Sequence, residues 1–221
     1  MKILALDTSA EACSAALLHD EQISDRSEIA PRRHAELILP MIDELLTQAG
    51  LRLTQLDAIA FGRGPGAFTG VRIAAGVTQG LAYATDLPVI AVSSLAALAQ
   101  SASGEDSDSI FAAMDARLGE IYYCQYQLAD GYVRPLSAEA VAKPEQVEPD
   151  TGGTIFGIGS GWDTYHDILQ DKCRGQLSGC EPQAFPLAVH LVRLAVPEYQ
   201  QGNLQAPQAA VPVYLRNKVT G

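Results

Sequence analysis

The feature that most constrains this chain is a glycine-rich turn that joins a short apolar segment to a helix. The sequence from Ala58 reads AIAFGRGPGAFTG, with glycines at positions 62, 64, 66 and 70. The apolar segment, Ala58–Phe61, has the length and composition of a buried strand. We therefore predict a strand, a tight turn and then a helix that is capped by Thr69 and ends near Ala84.

The turn itself has two interpretations. Glycine accepts positive φ freely, so the backbone N–H groups of Gly62, Gly64 and Gly66 could converge on an anion. The positive end of the following helix dipole would favour a phosphate or carboxylate at the same place. In the alternative, the glycines only let the chain change direction. The spacing alone leaves both open.

The helix after the turn has one face of small residues. Gly76, Gly80 and Ala84 recur at intervals of four, with Val77, Leu81 and Tyr83 beside them. Such a face lets another backbone approach closely. That backbone could belong to the same domain, to a second copy of the chain or to a partner protein.

The N-terminal segment predicts a meander of three strands. Apolar runs at Ile3–Leu6 and Cys13–Leu18 flank Asp7-Thr8-Ser9, and a third strand is expected at Gln22–Ser27. A carboxylate at the end of a buried strand is costly unless it is hydrogen-bonded. Asp7 is therefore expected either to bind the N–H groups of its own turn or to face a cleft that holds the metal and phosphates of a nucleotide.

A long amphipathic helix is predicted at Pro31–Gly50, where apolar residues recur every three or four positions. His34 falls in the first turn of this helix. Its side chain could be solvated or could have a function, and the sequence leaves both interpretations open. Later segments predict a strand at Pro88–Val92 and a helix at Ser94–Gln100. The polar residues 101–109, SASGEDSDS, indicate a linker.

The pattern of the first half then returns in the second. Ile110–Asp115 repeats the strand that ends at Asp7, and Phe156–Gly161 repeats the F-G-x-G-x-G of Phe61–Gly66. The same order of two short matches indicates an α/β fold built from a duplicated unit. We predict an N-terminal lobe at 1–100, a linker at 101–109 and a C-terminal lobe at 110–221.

The second lobe is expected to be eroded. Its predicted parts are a short helix at Trp162–Leu169, a loop at 172–180, a helix at Phe185–Val196 and an extended tail from 197, of which 213–216 packs back. Two matching lobes would place Asp7 and Asp115 on opposite walls of one cleft. The residues of a residual nucleotide or phosphate site would then be Asp7, Thr8, Ser9, Gly62, Gly64, Gly66 and Asp115.

Composition limits the partners of the chain. It has 26 acidic and 15 basic residues and a net charge of −11, so its surface repels polyphosphate. If it acts on nucleic acid, another protein must hold most of the backbone. The four cysteines and four histidines show no spacing that binds metal. No apolar run has membrane-spanning length, so we expect a cytoplasmic location and no contact with membranes.

Several stretches together resemble one known family. They read MKILALDTSAEACSAALL, RRHAELILPMIDELL, GRGPGAFTGVRIAAGVTQGLA, LPVIAV, AAMDARLGEIYY and VYLR. They are similar to the TsaB (YeaZ) family of bacterial tRNA threonylcarbamoyladenosine proteins, almost continuously in the N-terminal half and in patches thereafter. The resemblance implies the duplicated actin/Hsp70/sugar-kinase (ASKHA) fold.

The resemblance also implies a role without catalysis. In the related TsaD family, two histidines after the glycine-rich helix bind the metal of the active site. Ser94 and Leu98 stand at those places here, so neither catalytic residues nor a metal are expected. No cofactor is firmly expected, and only vestigial binding of ATP or ADP is possible.

Implied partners are TsaD and the small ATPase TsaE. Together they would transfer threonylcarbamoyl from its adenylate to N6 of adenosine 37 in tRNAs that read codons beginning with A. In the family, helices of the N-terminal lobe contact TsaD, and the same surface forms homodimers. This makes the candidate interface residues Arg72, Ala74, Gly76, Val77, Gly80, Leu81, Ala84 and His34.

Two other functions were weighed. The first is a stand-alone ATPase that would use Asp7, Asp115 and the glycine turn, although no lysine or Walker pattern accompanies the turn. The second is a peptidase, which lacks both metal ligands and a nucleophile paired with a base. The scaffold is the function that we expect.

Overall fold

The structure is a computed structural model in which residues 1–216 are described. They form two compact units. Unit 1 comprises residues 1–97 and 186–213, and unit 2 comprises residues 98–185 together with residues 214–216. Among the described residues, no helix combines the length and the hydropathy that crossing a bilayer requires.

Unit 1 is a five-stranded sheet with helices on both faces. Its strands are β1 (Ile3–Asp7), β2 (Ala12–His19), β3 (Gln22–Ile29), β4 (Ala58–Gly62) and β5 (Val89–Val92). Its helices are α1 (His34–Gln48), α2 (Phe68–Thr85) and α5 (Ala188–Gln200), and α3 (Ser94–Ser101) crosses into unit 2. The sheet order is β3-β2-β1-β4-β5, antiparallel in the first three strands and parallel thereafter.

Alternation along β1 explains why both faces of this sheet are covered. Leu4 and Leu6 belong to the core that α1 and α2 cover, while Ile3 and Ala5 belong to the core that α5 covers. All of these side chains are fully buried. A strand in the centre of such a sheet therefore reads as one continuous apolar run.

Unit 2 repeats this plan with shorter helices. Its strands are β6 (Ser109–Arg117), β7 (Glu120–Ala129), β8 (Tyr132–Pro135), β9 (Ala140–Ala142), β10 (Ile155–Ile158) and β11 (Leu177–Glu181), and its own helix is α4 (Ser160–Lys172). The order β8-β7-β6-β10-β11 matches that of unit 1 strand for strand, with β9 added beside β7. The predicted duplication is confirmed. Single 3₁₀ turns lie at Leu53–Gln55, Pro144–Gln146 and Pro207–Ala209.

Most predicted elements are present with shifted ends. The long helix begins at His34 rather than Pro31, after Arg32 in the left-handed region at φ 70°. The prediction of a loop at 172–180 was wrong, because Leu177–Glu181 pairs in parallel with β10 as an edge strand. This strand carries one glycine, Gly179, and little apolar sequence, so its pairing leaves almost no local signal.

The division into lobes differs from the prediction at two places. Residues 186–213, assigned by sequence to the second lobe, fold with unit 1, where Leu191, Val192 and Ala195 of α5 are buried. The tail continues along the edge of β5, where Val89 and Gln205 exchange both backbone hydrogen bonds. The predicted linker is part of unit 2, since Asp108 and Ser109 bond to Thr154. Residues 217–221 of the tail lie outside the described residues.

The packing of α5 generates a testable prediction about independent folding. A fragment of residues 1–109 follows the boundary that the sequence suggests, but it exposes the face of β1, β4 and β5 that α5 buries. We expect this fragment to lack a cooperative thermal transition by circular dichroism, while the full chain shows one. A fragment that melts cooperatively would contradict the division into units described above.

Candidate functional site

The glycine-rich turn packs directly against the turn between β1 and β2. A Cβ on Gly62 would lie under 3.0 Å from the Asp7 carboxylate, and one on Gly70 under 3.0 Å from the Thr8 carbonyl oxygen. Gly66 meets Ser9 in the same way. Of the three predicted turn glycines, only Gly64 has a positive φ, at 96°. Gly62 is required because the Asp7 carboxylate fills the space of its side chain, and Gly66 and Gly70 are required because the Ser9 and Thr8 backbone does, not because the turn needs unusual torsion angles.

Asp7 binds its own turn. Its Oδ1 accepts hydrogen bonds from the backbone N–H and the hydroxyl of Ser9, both at 2.7 Å. Its Oδ2 accepts one from the Ser94 hydroxyl at 3.0 Å. The Asp7 side chain is completely buried, and this burial raises the pKa of its carboxyl group. The hydrogen bonds from Ser9 and Ser94 act in the opposite direction but are the smaller effect.

The backbone groups around the turn also have partners within unit 1. The Ala67 N–H, at the start of α2, donates to the Ser9 carbonyl at 2.7 Å. The Ser94 N–H donates to the Gly64 carbonyl at 3.0 Å, and the Thr8 hydroxyl donates to the Gly70 carbonyl at 2.7 Å. The predicted cap was wrong: α2 begins at Phe68, Ala67 occupies the cap position, and Thr69 lies exposed in the first turn.

The folded site does not fit a metal–nucleotide group at Asp7. Both oxygens of its carboxylate are engaged, and Asp7, Thr8 and Ser9 are all at most 1% exposed. A phosphate on the glycine turn would have to displace the Ser9 carbonyl from the Ala67 N–H. Asp115 of unit 2 binds locally as well, accepting the Arg117 N–H and pairing with the Arg117 guanidinium, both at 2.9 Å.

The places that correspond to metal-binding histidines are part of the core. Ser94 donates to Asp7, and Leu98 is completely buried. Within residues 1–216, no three His, Cys, Asp or Glu side chains come together in an arrangement that could hold a metal ion.

His34 is neither solvated nor available on the surface. It is 8% exposed, and its Nε2 has no hydrogen-bond partner among the described residues. Its charge when protonated would favour ionised Asp7. With its side chain buried in this way, His34 offers almost no surface to a partner. The assignment of His34 to the interface is therefore corrected.

The small-residue face of α2 is open. A Cβ on Gly76 or Gly80 would meet no atom within 4 Å, and Ala84 is exposed beside them. At the start of this face the Arg72 guanidinium lies 3.2 Å from the centroid of the Phe68 ring, a cation–π contact. At its other end Tyr83 is 61% exposed. We call Phe68, Arg72, Gly76, Gly80, Tyr83 and Ala84 the open face of α2.

Three residues of the predicted interface lie elsewhere on α2. Ala74 is completely buried, so it belongs to the core and is removed from the interface. Val77 and Leu81 are half-buried and pack against the core beneath α2. The sequence reasoning placed Tyr83 beside the small residues but missed Phe68, although Phe68, Arg72, Gly76, Gly80 and Ala84 follow one another at steps of four along one ridge of the helix.

Known structures show the same fold. A ROK hexokinase from Thermus thermophilus superimposes with a TM-score of 0.50 at 15% identity, covering 92% of this chain and 99% of that one. With the duplicated sheet order, this likeness defines the fold class as the one shared by actin, Hsp70 and sugar kinases. YeaZ from Pseudomonas aeruginosa superimposes with a TM-score of 0.90 at 46% identity, covering 97% of this chain and 99% of that one.

Sequence relatives identify the family within that class. Two proteins named tRNA threonylcarbamoyladenosine biosynthesis protein TsaB match: one from Haemophilus influenzae at 41% identity, covering 100% of this chain and 95% of its own, and one from Escherichia coli at 40%, covering 99% and 96%. The family model described as TsaD, tRNA N6-adenosine threonylcarbamoyltransferase, matches residues 18–219. The chain belongs to the TsaB (YeaZ) family.

The two kinds of glycine in α2 predict opposite effects of one substitution. Gly70→Ala should destabilise the fold by roughly 2–4 kcal/mol, because its Cβ collides with the backbone of Thr8. Gly80→Ala, in open space on the same helix, should stabilise it by about 0.5–1 kcal/mol through the higher helix propensity of alanine. Urea unfolding measures both, and equal effects would contradict the close approach of the two turns.

Burial of Asp7 predicts a pH-dependent difference in stability. The pKa of Asp7 in the folded state is raised above its ordinary value of 3.8. The free energy of unfolding of the wild type therefore decreases as the pH rises from 3.8 through the folded-state pKa, because ionisation is less favourable in the folded state. Asparagine does not ionise; its Oδ1 can accept from Ser9, while its Nδ2 would donate to the Ser94 hydroxyl instead of accepting from it. The free energy of unfolding of Asp7→Asn relative to wild type should therefore increase over this window, by at most about 1.4 kcal/mol per pH unit. A flat difference in urea melts would contradict a raised pKa.

Proposed function

We propose that this chain is a non-catalytic subunit of the machinery that forms threonylcarbamoyladenosine in tRNA. Its open face of α2 docks on a protein of the TsaD family. With TsaE, that assembly transfers threonylcarbamoyl from threonylcarbamoyl-AMP to N6 of adenosine 37 in tRNAs reading codons that begin with A. The role in this biosynthesis is supported by the names of the relatives from Haemophilus influenzae and Escherichia coli. The chain would perform this role in the cytoplasm.

The open face of α2 is the observation that carries the docking proposal. Gly76 and Gly80 expose helix backbone with free space above it, so a partner helix can approach more closely than over larger side chains. Phe68 and Tyr83, 59% and 61% exposed, flank this strip. Aromatic and arginine side chains are enriched among residues that dominate binding energy at interfaces. A flat strip between such anchors suits a protein partner.

The filled site on the other side of α2 supports the absence of catalysis. The space beside Gly62 is filled by the Asp7 carboxylate, and the space beside Gly66 and Gly70 by the backbone of Ser9 and Thr8. The Asp7 carboxylate accepts a hydrogen bond from the Ser9 N–H of its own turn and is completely buried. Residual binding of ATP or ADP stays an alternative, and it would require the turn at Thr8 and Ser9 to move.

Charge and symmetry complete the proposal. A chain with net charge −11 repels tRNA, so the tRNA is held mainly by the partner and is contacted indirectly. In the absence of that partner, the open face of α2 can pack on the same face of a second copy. Homodimer and complex then compete for one surface, since an isologous contact uses the same patch on both copies.

A bulky substitution on the open face of α2 tests the docking. Gly80→Trp places an indole where a partner backbone would lie, and we expect loss of co-purification with the TsaD-family protein of the same organism. The isolated fold should melt near the wild-type temperature, because no atom lies within 4 Å of that position. Asp167→Trp, at a completely exposed side chain of α4, is the matched control and should keep the complex.

Two outcomes would contradict the proposal. Unchanged complex formation by Gly80→Trp would show that docking uses another surface. Magnesium-dependent ATP hydrolysis or tRNA modification by the purified chain alone, abolished by Asp7→Ala, would show that it is an enzyme in its own right.

A further inference from the structure

We draw no further inference here: the strongest candidate, the open cleft of unit 1 between the end of α2 and residues 204–207, lined by Asp86, Leu87, Pro88 and Leu204, carries none because nothing among the described residues shows what covers it.

Discussion

The close approach of two backbone turns is the constraint on which unit 1 depends. The turn after β1 and the turn after β4 touch because no side chain stands at Gly62, Gly66 or Gly70. Adjacent parallel strands bring these turns to the same edge of the sheet. Contact between them closes the edge and determines where α2 starts. It also buries Asp7, whose carboxylate replaces water by bonding to Ser9 and Ser94.

This contact also pairs polar groups around the glycine-rich turn with partners from the same chain. The Ala67 N–H donates to the Ser9 carbonyl, and the Thr8 hydroxyl donates to the Gly70 carbonyl. Because buried polar groups are costly when unpaired, this pairing stabilises the closed turn. A phosphate at the Ala67 N–H would have to replace the Ser9 carbonyl as its partner.

The glycines of α2 show that one residue type can serve two purposes within one helix. Gly70 faces the inside and allows contact with Thr8, whereas Gly76 and Gly80 face outward and touch nothing within unit 1. Outward glycines weaken a helix, so their presence needs a reason beyond the fold. The outward glycines are unfavourable for the isolated helix, and a partner that covers them would account for their presence.

The sequence by itself determined the elements with strong periodicity, the duplicated order of strands, the family and the small-residue side of α2, because these depend on local spacing. Tertiary structure decided the rest. Only the fold shows that Ala74 and His34 are buried, that α5 covers unit 1, and that β11 pairs at the edge of unit 2. It also decides between an open anion site and a filled one, since Gly62 and Asp7 lie 55 positions apart in sequence. Contacts between distant residues leave no periodic signal, so the closing of the site is a property of the folded chain alone.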